Sequence, residues 1–442
     1  MKHNPLTLPP HVLSCIDALE NRGFACYAVG GCVRDLLLGI EPHDYDLCTA
    51  ARPDAIRETF RDHTLVLSGE KHGTVGVVTE QGVIEITTFR TEGSYTDSRH
   101  PDWVTFVDEI EGDLSRRDFT VNAMAYSPKR GLADPFGGQS DMENKLLRAV
   151  GDAHVRFEED ALRILRGVRF AARFGLAAEP QTEKAMFALA PLLEKIAKER
   201  IFDELCKLLL VAKAEDLLRF SPVITQTIPE LTDSVGFQQH NPHHLFDVFT
   251  HTAYVTAAVS PVLALRWAAL LHDVGKPATF TLDEMGCGHF YGHAEAGAQL
   301  ADQILLRLKA PTALRKEVVF LISHHMTTLE ANRKLVRRRL SQYGEQPLRM
   351  LLQLQQADYS CKGVVNEPED FEEIHGLLEE ILAEDACLTI RNLKINGHDL
   401  MAMGLTGPAI GSCLNELLRM VVDEQIPNEE AALLAAARRL TQ

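Results

Sequence analysis

The sequence predicts an α+β chain, with strands and helices mixed up to about residue 150 and an almost wholly helical remainder. Two observations carry this. From Phe24 to Val150, short apolar runs such as "FACYAVGG", "TVGVVTE" and "GVIEITTFR" are broken by glycine and polar turns, as strands between helices require. From Glu158 onward strand signals nearly vanish, and apolar residues recur at helical spacing, first in "EDALRILRGVRFAARFG" and then in "AMFALAPLLEKIAKERIFDELCKLLL". At 442 residues the chain exceeds a single core, so several domains are expected. The Pro, His and Asn cluster "QQHNPHHLF" predicts a boundary near residue 240, and "VVNEPEDFEE" another near 365.

Composition narrows the function classes. A formal charge of -17 argues against wholesale electrostatic binding of nucleic acid and leaves local basic faces as the alternative. The 9 cysteines form no CxxC pair and no stretch near the start resembles a signal peptide, so a reducing, cytoplasmic setting is expected. No apolar run reaches the roughly 18 residues of a membrane span, so no membrane partner is expected.

The chemistry starts at "GGCVRDLLLGIEPHDYDLCTA". "CYAVGG" reads as a buried strand entering a tight turn, and "CVRDLLLG" as a short helix whose free N–H groups lie beside Gly30 and Gly31, which suits an anion. If "YDLCT" is a strand, its period of two sends Asp44 and Asp46 to one face. Two converging carboxylates beside a phosphate cradle suit Mg²⁺, and a pair of such ions about 3.5–4 Å apart activates a hydroxyl and stabilises a departing pyrophosphate. Glu85, a charge between Ile84 and Ile86, is the candidate third carboxylate.

Several longer motifs follow the glycine pair and the Asp-x-Asp: "TTFRTEGSYTDSRHPDWVTF", "DLSRRDFTVNAMAY", "DPFGG", "EDALRILRGVRFAARFG" and "ERIFDEL". The opening pattern resembles the nucleotidyltransferase fold shared with DNA polymerase β. The whole ordered series, over roughly residues 20 to 210, is similar to the bacterial tRNA nucleotidyltransferases, or CCA-adding enzymes, and related poly(A) polymerases. This resemblance implies a mixed-sheet nucleotidyltransferase head followed by a mostly helical neck, body and tail. It implies addition of C, C and A to the tRNA 3′ end from CTP and ATP without a nucleic-acid template, with Asp44 and Asp46 holding Mg²⁺. Ribose and triphosphate contacts fall to Arg117, Asp118 and Asn122, with Arg34, Gly30 and Gly31 completing the nucleotide site. The residue types fit, since Arg117 is a permanent cation whose fork matches phosphate while Asp118 and Asn122 bond sugar hydroxyls.

"EDALR" reads, on a continuous helix, as Glu159 and Arg163 one turn apart with Asp160 beside them. Cytosine and adenine each show an amino donor next to a ring-nitrogen acceptor, whereas uracil and guanine show an oxygen acceptor next to an N–H donor. A carboxylate paired with an arginine therefore admits C and A and rejects U and G. The resemblance assigns this base reading to Asp160 and Arg163, with Glu159 orienting Arg163. Arg166, Arg169 and Arg173 continue a stripe from Arg163 that either tracks an RNA backbone or snorkels on the surface. "NRKLVRRRL" is expected to be a solvated helix face.

The second half carries His251, His272 with Asp273, His293, His324, His325 and Asp358, a mixture that binds borderline divalent metals such as Mn²⁺, Zn²⁺, Ni²⁺ or Co²⁺. "LRWAALLHDVGKP" resembles the signature of the HD metal-dependent phosphohydrolases. That implies His251, His272, Asp273 and Asp358 as one metal set, His293, His324 and His325 as candidates for a second metal, and Lys276 as a phosphate contact. The expected division is a head over 1–150, a neck and body over 151–240 with base-reading and RNA-binding elements, an HD domain over 241–365 and a helical tail over 366–442. The rivals are a poly(A) polymerase, a partial enzyme adding only CC or A, or chiefly an HD phosphohydrolase with an RNA-binding head. The segment "TEGSYTDSRHPDWV" resembles the loop needed to switch from C to A, which counts against a CC-only enzyme.

Overall fold

The computed structural model describes residues 6–93, 103–363, 370–384 and 386–440. Most of "TEGSYTDSRHPDWV" and of the expected boundary near 365 lies outside the described residues. By internal contacts the chain parts into two compact units, Met1–Pro229 and Glu230–Gln442. Among the described residues no helix is long and apolar enough to cross a membrane.

The first unit is built on a sheet of seven strands: β1 (Cys26–Val29), β2 (Asp46–Thr49), β3 (Leu65–Val66), β4 (Thr74–Thr79), β5 (Gly82–Thr88), β6 (Ala125–Ser127) and β7 (Gly131–Ala133). Their order is β3-β4-β5-β2-β1-β6-β7. Only β2 and β5 run parallel, and the other neighbours are antiparallel. β1 is buried on both faces, which is why it reads as an unbroken apolar run. Cys26 and Ala28 enter a core with helix Pro10–Glu20, while Tyr27 and Val29 enter a second with Phe89, Ile110 and Leu114.

The parallel register sets Asp46 beside Glu85 and Leu47 beside Ile86. Since Leu47 and Ile86 fill the first core, Asp46 and Glu85 project together from the opposite face. The strand begins at Asp46, so Asp44 lies on the lead-in to β2 and not within it.

Phe119 ties the sheet to the helices that follow. It is buried against Phe157 and Phe170, with ring centroids 6.3 and 5.9 Å away. The expected continuous helix through "EDALR" is instead two helices, Ala153–Glu159 and Leu162–Phe174. The backbone of Asp160 is extended, and its carboxylate accepts the Leu162 N–H at 3.0 Å, which starts the second helix. A short-side-chain acid that captures a backbone donor breaks a helix at the point where simple spacing continues it.

In "DPFGG", Asp134 accepts the N–H groups of Gly138 and Gln139 at 2.7 and 2.9 Å and thereby starts helix Gly138–Glu143. A Cβ on Gly138 would stand 2.1 Å from the Thr120 carbonyl oxygen, in the stretch that carries Asp118 and Asn122.

The second unit packs helices Val248–Ala258, Leu263–Leu271, His293–Arg307, Thr312–His324 and Glu345–Ser360 about a core that includes the fully buried Trp267. A separate cluster joins Pro408–Val422 to Glu430–Leu440. "NRKLVRRRL" is not the solvated face expected of it. Arg337 is buried, donates to the Val422 carbonyl at 3.1 Å and pairs with Glu424 at 3.0 Å, while Arg338 pairs with Asp423. The cations compensate the free carbonyls at the end of Pro408–Val422.

Gly138→Ala should lower the stability of the first unit by about 1–3 kcal/mol, since the clash is with backbone and cannot be relieved by a rotamer change. Urea unfolding followed by the fluorescence of a probe in this unit measures it, and an unchanged midpoint would contradict the close approach.

Candidate active site

In the first unit a cleft of ≈ 490 Å³ opens where the glycine turn, the "RRDFTVN" stretch and helix Leu162–Phe174 meet. Eight arginines and three aspartates line it. A chain of net charge -17 that concentrates arginine in one cleft has built a site for a polyanion.

Gly30 has φ 77° and caps helix Gly31–Leu37, and a Cβ there would meet an Arg117 guanidinium nitrogen at 2.7 Å. The glycine thus supplies both a left-handed turn and room for the arginine. Arg117 pairs with Asp113 at 3.2 Å, as does Arg116 at 2.9 Å. Asp113 is fully buried and is a positioning residue the sequence reading missed, although its spacing of three and four from the arginines was visible.

Asp46 lines the same cleft. Its carboxyl is pushed above the usual range, first by loss of solvation; Arg117 opposes this, and the charges of Glu85 and Asp44 add to it. The charges of Asp44 and Glu85 both reach Asp46, with Glu85 level with it on the neighbouring strand, although the three are not among the groups of described residues whose ligand atoms lie within 4.8 Å of one another. The Asp46 and Glu85 pair has the chemistry a divalent cation takes, because neighbouring like charges need a positive counterpart and oxygen donors suit Mg²⁺.

Asp118, Asn122, Arg34 and Arg166 form one buried network. Asp118 accepts from Asn122 at 3.0 Å and from Arg166 at 2.8 and 2.9 Å, and Asn122 accepts from Arg34 at 2.5 Å. Burial alone would raise the Asp118 carboxyl, but Arg166 and the Asn122 bond hold it at about 2. Arg166 and Arg169 are thus turned into the cleft, Arg169 being bound to Glu204 at 2.6 Å, so a stripe of freely displayed arginines is not what these two form. Arg173 is exposed at the cleft edge over Phe174.

Arg163 bonds Glu159 at 2.6 Å and the Arg116 carbonyl at 3.1 Å, which fixes its guanidinium. Asp160 bonds Arg200 at 2.9 Å. Arg200 lines the cleft as well and was missed, although it lies in the quoted "ERIFDEL".

In the second unit, His251, His272, Asp273, His293, His325 and Asp358 converge. His251 Nε2 lies 2.9 Å from Asp358 and 3.7 Å from Asp273, His272 Nε2 lies 3.2 Å from Asp273, and His293 Nε2 lies 3.6 Å from it. Each ring gives its Nδ1 to a backbone carbonyl, those of Cys361, Ala269, Phe290 and Ile322. This fixes Nε2 as the ligating atom, the usual outer bond of a metal-binding histidine. The Nε2 atoms of His293 and His325 stand 3.2 Å apart, near the roughly 3.4 Å expected for two nitrogens on one tetrahedral ion. His272 Nε2 and Asp273 Oδ2 are buried without a hydrogen-bond partner of good geometry. These residues fit a transition-metal centre.

His324 does not join them. Its ring stacks on Phe320 at 4.5 Å and its Nδ1 bonds the Phe320 carbonyl, because it sits one residue, and so about 100° of helix, away from His325. Lys276 reaches Asp273 at 2.7 Å beside a cavity of ≈ 240 Å³. His244, which the sequence reading took as part of a boundary, lines that cavity with its ring 5.5 Å from His251.

A cleft that joins Asp46, the Gly30 turn and eight arginines is the site of a nucleotidyltransferase. A model of the Poly A polymerase head domain matches residues 26–148, one of the probable RNA and SrmB-binding site of polymerase A matches 175–234, and one of tRNA nucleotidyltransferase domain 2 matches 292–437. The chain is 34% identical to the CCA-adding enzyme of Streptococcus mutans over 99% of both chains, and 36% identical to that of Streptococcus sanguinis over 97% of this chain and 98% of that one. The crystal structure of the Bacillus stearothermophilus CCA-adding enzyme in complex with CTP superposes with a TM-score of 0.73 at 28% identity, covering 98% of both chains. The chain belongs to the family of CCA-adding enzymes.

Because the ordinary Asp118 value of 3.8 falls to about 2 on folding, its contribution is complete above about pH 4 and is lost as pH drops toward 2. It amounts to about 2 kcal/mol. Urea midpoints measured from pH 6 down to pH 2 should show this slope in the wild type and a shallower one in Asp118→Asn.

Proposed function

We propose that the chain completes tRNA 3′ ends with C, C and A, taking CTP and ATP and transferring nucleotides in the head cleft. The observation that carries this is one cleft joining Asp46, the Gly30 turn, Arg117 and the Asp160 and Arg163 pair. The relatives named above are CCA-adding enzymes, and one of their crystal structures holds CTP.

Asp44 and Asp46, supported by Glu85, would hold Mg²⁺. Bound there, Mg²⁺ supplies Lewis-acid stabilisation of charge on the attacking and leaving oxygens. Arg117 and the helix beginning at Gly31 hold the triphosphate, and Asp118, Asn122 and Arg34 receive the sugar side. Asp160 accepts from the amino group of cytosine or adenine while Arg163 donates to the neighbouring ring nitrogen. The bonds that Asp160 makes to Arg200 and Leu162 occupy two of about four lone-pair sites, leaving acceptor capacity for the base. Uracil or guanine would leave that carboxylate and guanidinium facing groups of the wrong sense, at about 1–3 kcal/mol.

A second activity rests on the histidine cluster. The facing Nε2 atoms of His293 and His325 and the His272 Nε2 turned toward Asp273 support a divalent transition ion, Mn²⁺, Ni²⁺, Co²⁺ or Zn²⁺, and phosphate-ester hydrolysis beside Lys276. On this reading residues 1–150 are the transferase head, 151–240 read the base and meet RNA through the exposed Arg173 with Arg166 and Arg169 shaping the cleft behind it, 241–365 hydrolyse phosphate esters, and 366–442 are a tail. The setting is the cytoplasm.

Purified protein given Mg²⁺, all four nucleoside triphosphates and tRNA lacking its last three nucleotides should yield ends sequenced as CCA. A long A tail, CC alone or no extension would overturn the proposal. Asp46→Ala should abolish extension and spare phosphatase activity, and His272→Ala should do the reverse. Arg163→Ala should erode discrimination against UTP and GTP by roughly tenfold or more, read as the ratio of kcat/KM values.

A further inference from the structure

A third group of ligand-type side chains lies outside both sites. The two-residue strands Thr281–Leu282 and Gly288–His289 form an antiparallel hairpin, closed by a bond from the Asp283 N–H to the Cys287 carbonyl at 3.0 Å. Cys287 and His289 are two residues apart on one arm, so their side chains leave by the same face, and Asp283 stands across from Cys287 on the other arm. The ligand atoms of all three lie within 4.8 Å of one another.

Asp283 and His289 are each held by one atom and offer another. Asp283 Oδ1 accepts the N–H groups of Met285 and Cys287, both at 2.9 Å, while Oδ2 faces His289 Nε2 at 3.0 Å. His289 keeps its Nδ1 toward the Tyr291 hydroxyl at 3.4 Å, and the two rings stack at 5.3 Å. The Cys287 thiol makes one long contact, 4.0 Å, to the Gly288 carbonyl. An outer bond that fixes the non-ligating atom is the arrangement of a metal-binding histidine or carboxylate, and Gly286, with φ 77°, makes the tight turn that brings the two arms together.

We propose that Asp283, Cys287 and His289 bind one Zn²⁺, or a late first-row divalent ion like it, as a site separate from the histidine and aspartate cluster. One thiolate, one imidazole and one carboxylate favour such ions over Mg²⁺ or Ca²⁺, and three protein ligands leave a position for water. Binding releases the thiol proton and exchanges the Asp283–His289 hydrogen bond for two ligand bonds. His289 and Tyr291 also line the ≈ 240 Å³ cavity that holds Asp273 and His293, so the bound ion would stiffen one wall of that cavity.

Cobalt alone is a suitable probe, since a thiolate on Co²⁺ gives a near-ultraviolet charge-transfer band that imidazole and carboxylate ligands do not. Full-length protein stripped by chelator and titrated with Co²⁺ should show this band, saturating at one thiolate-bound ion per chain and bleached by Zn²⁺. Cys287→Ser should lose the band while keeping nucleotide incorporation and the wild-type urea midpoint of the second unit, which shows that both units are folded. Asp283→Asn and His289→Gln should each weaken Co²⁺ binding at this band by roughly tenfold or more. No band in the wild type, a band that survives Cys287→Ser, or one that ignores both partner substitutions, as a lone thiol would, overturns the proposal.

Discussion

The head depends on one buried carboxylate. Asp118 receives Arg166 and Asn122, and through Asn122 it is linked to Arg34, so a single negative charge binds the helix after the glycine pair, the middle motif and the first long helix of the neck. Eight guanidinium groups cannot share a cleft without internal anions, since each repels the others and loses solvation. Asp113, Asp118, Glu159 and Glu204 compensate most of them before any ligand arrives. Arg116 and Arg117 share the single charge of Asp113, so positive charge is left beside the Gly30 turn for a triphosphate to meet.

Much of this was legible because chemistry leaves local marks. A glycine pair before a short helix, two aspartates at spacing two and a lone glutamate in an apolar strand each signal themselves. The pairing of β2 with β5 then places Asp46 and Glu85 side by side. What the sequence could not give was which long-range partner each arginine takes. Arg166 and Arg169 share a helical face with Arg173, yet Asp118 and Glu204, 48 and 35 residues away, draw the first two inward. Periodicity assigns a side, and only tertiary packing decides what stands there. The same lack concealed Arg200, whose partner Asp160 is 40 residues distant, and the role of Arg337, whose carbonyl partner is 85 away. The break at Asp160 was missed for a local reason: helical spacing on either side is intact, and only the carboxylate's capture of the Leu162 N–H interrupts it.

In the second unit, histidine count alone overstated the ligand set. His324 and His325 are adjacent, and a helix cannot direct neighbours at one point, so one turns to Phe320 while the other faces Asp273. His244 shows the opposite error, since residues rich in Pro and Asn read as a connector although the segment furnishes a cavity wall. The four converging rings share a device independent of fold family: a carbonyl at Nδ1 chooses the tautomer before any ion is present.

The void beside Gly30 is filled by Arg117. That guanidinium is the far end of a flexible side chain and can turn aside, whereas the positive φ of the turn demands glycine whatever stands at position 117. Across descendants of such a chain, position 30 should therefore stay glycine even where the arginine has been exchanged, a constancy imposed by backbone shape and not by charge.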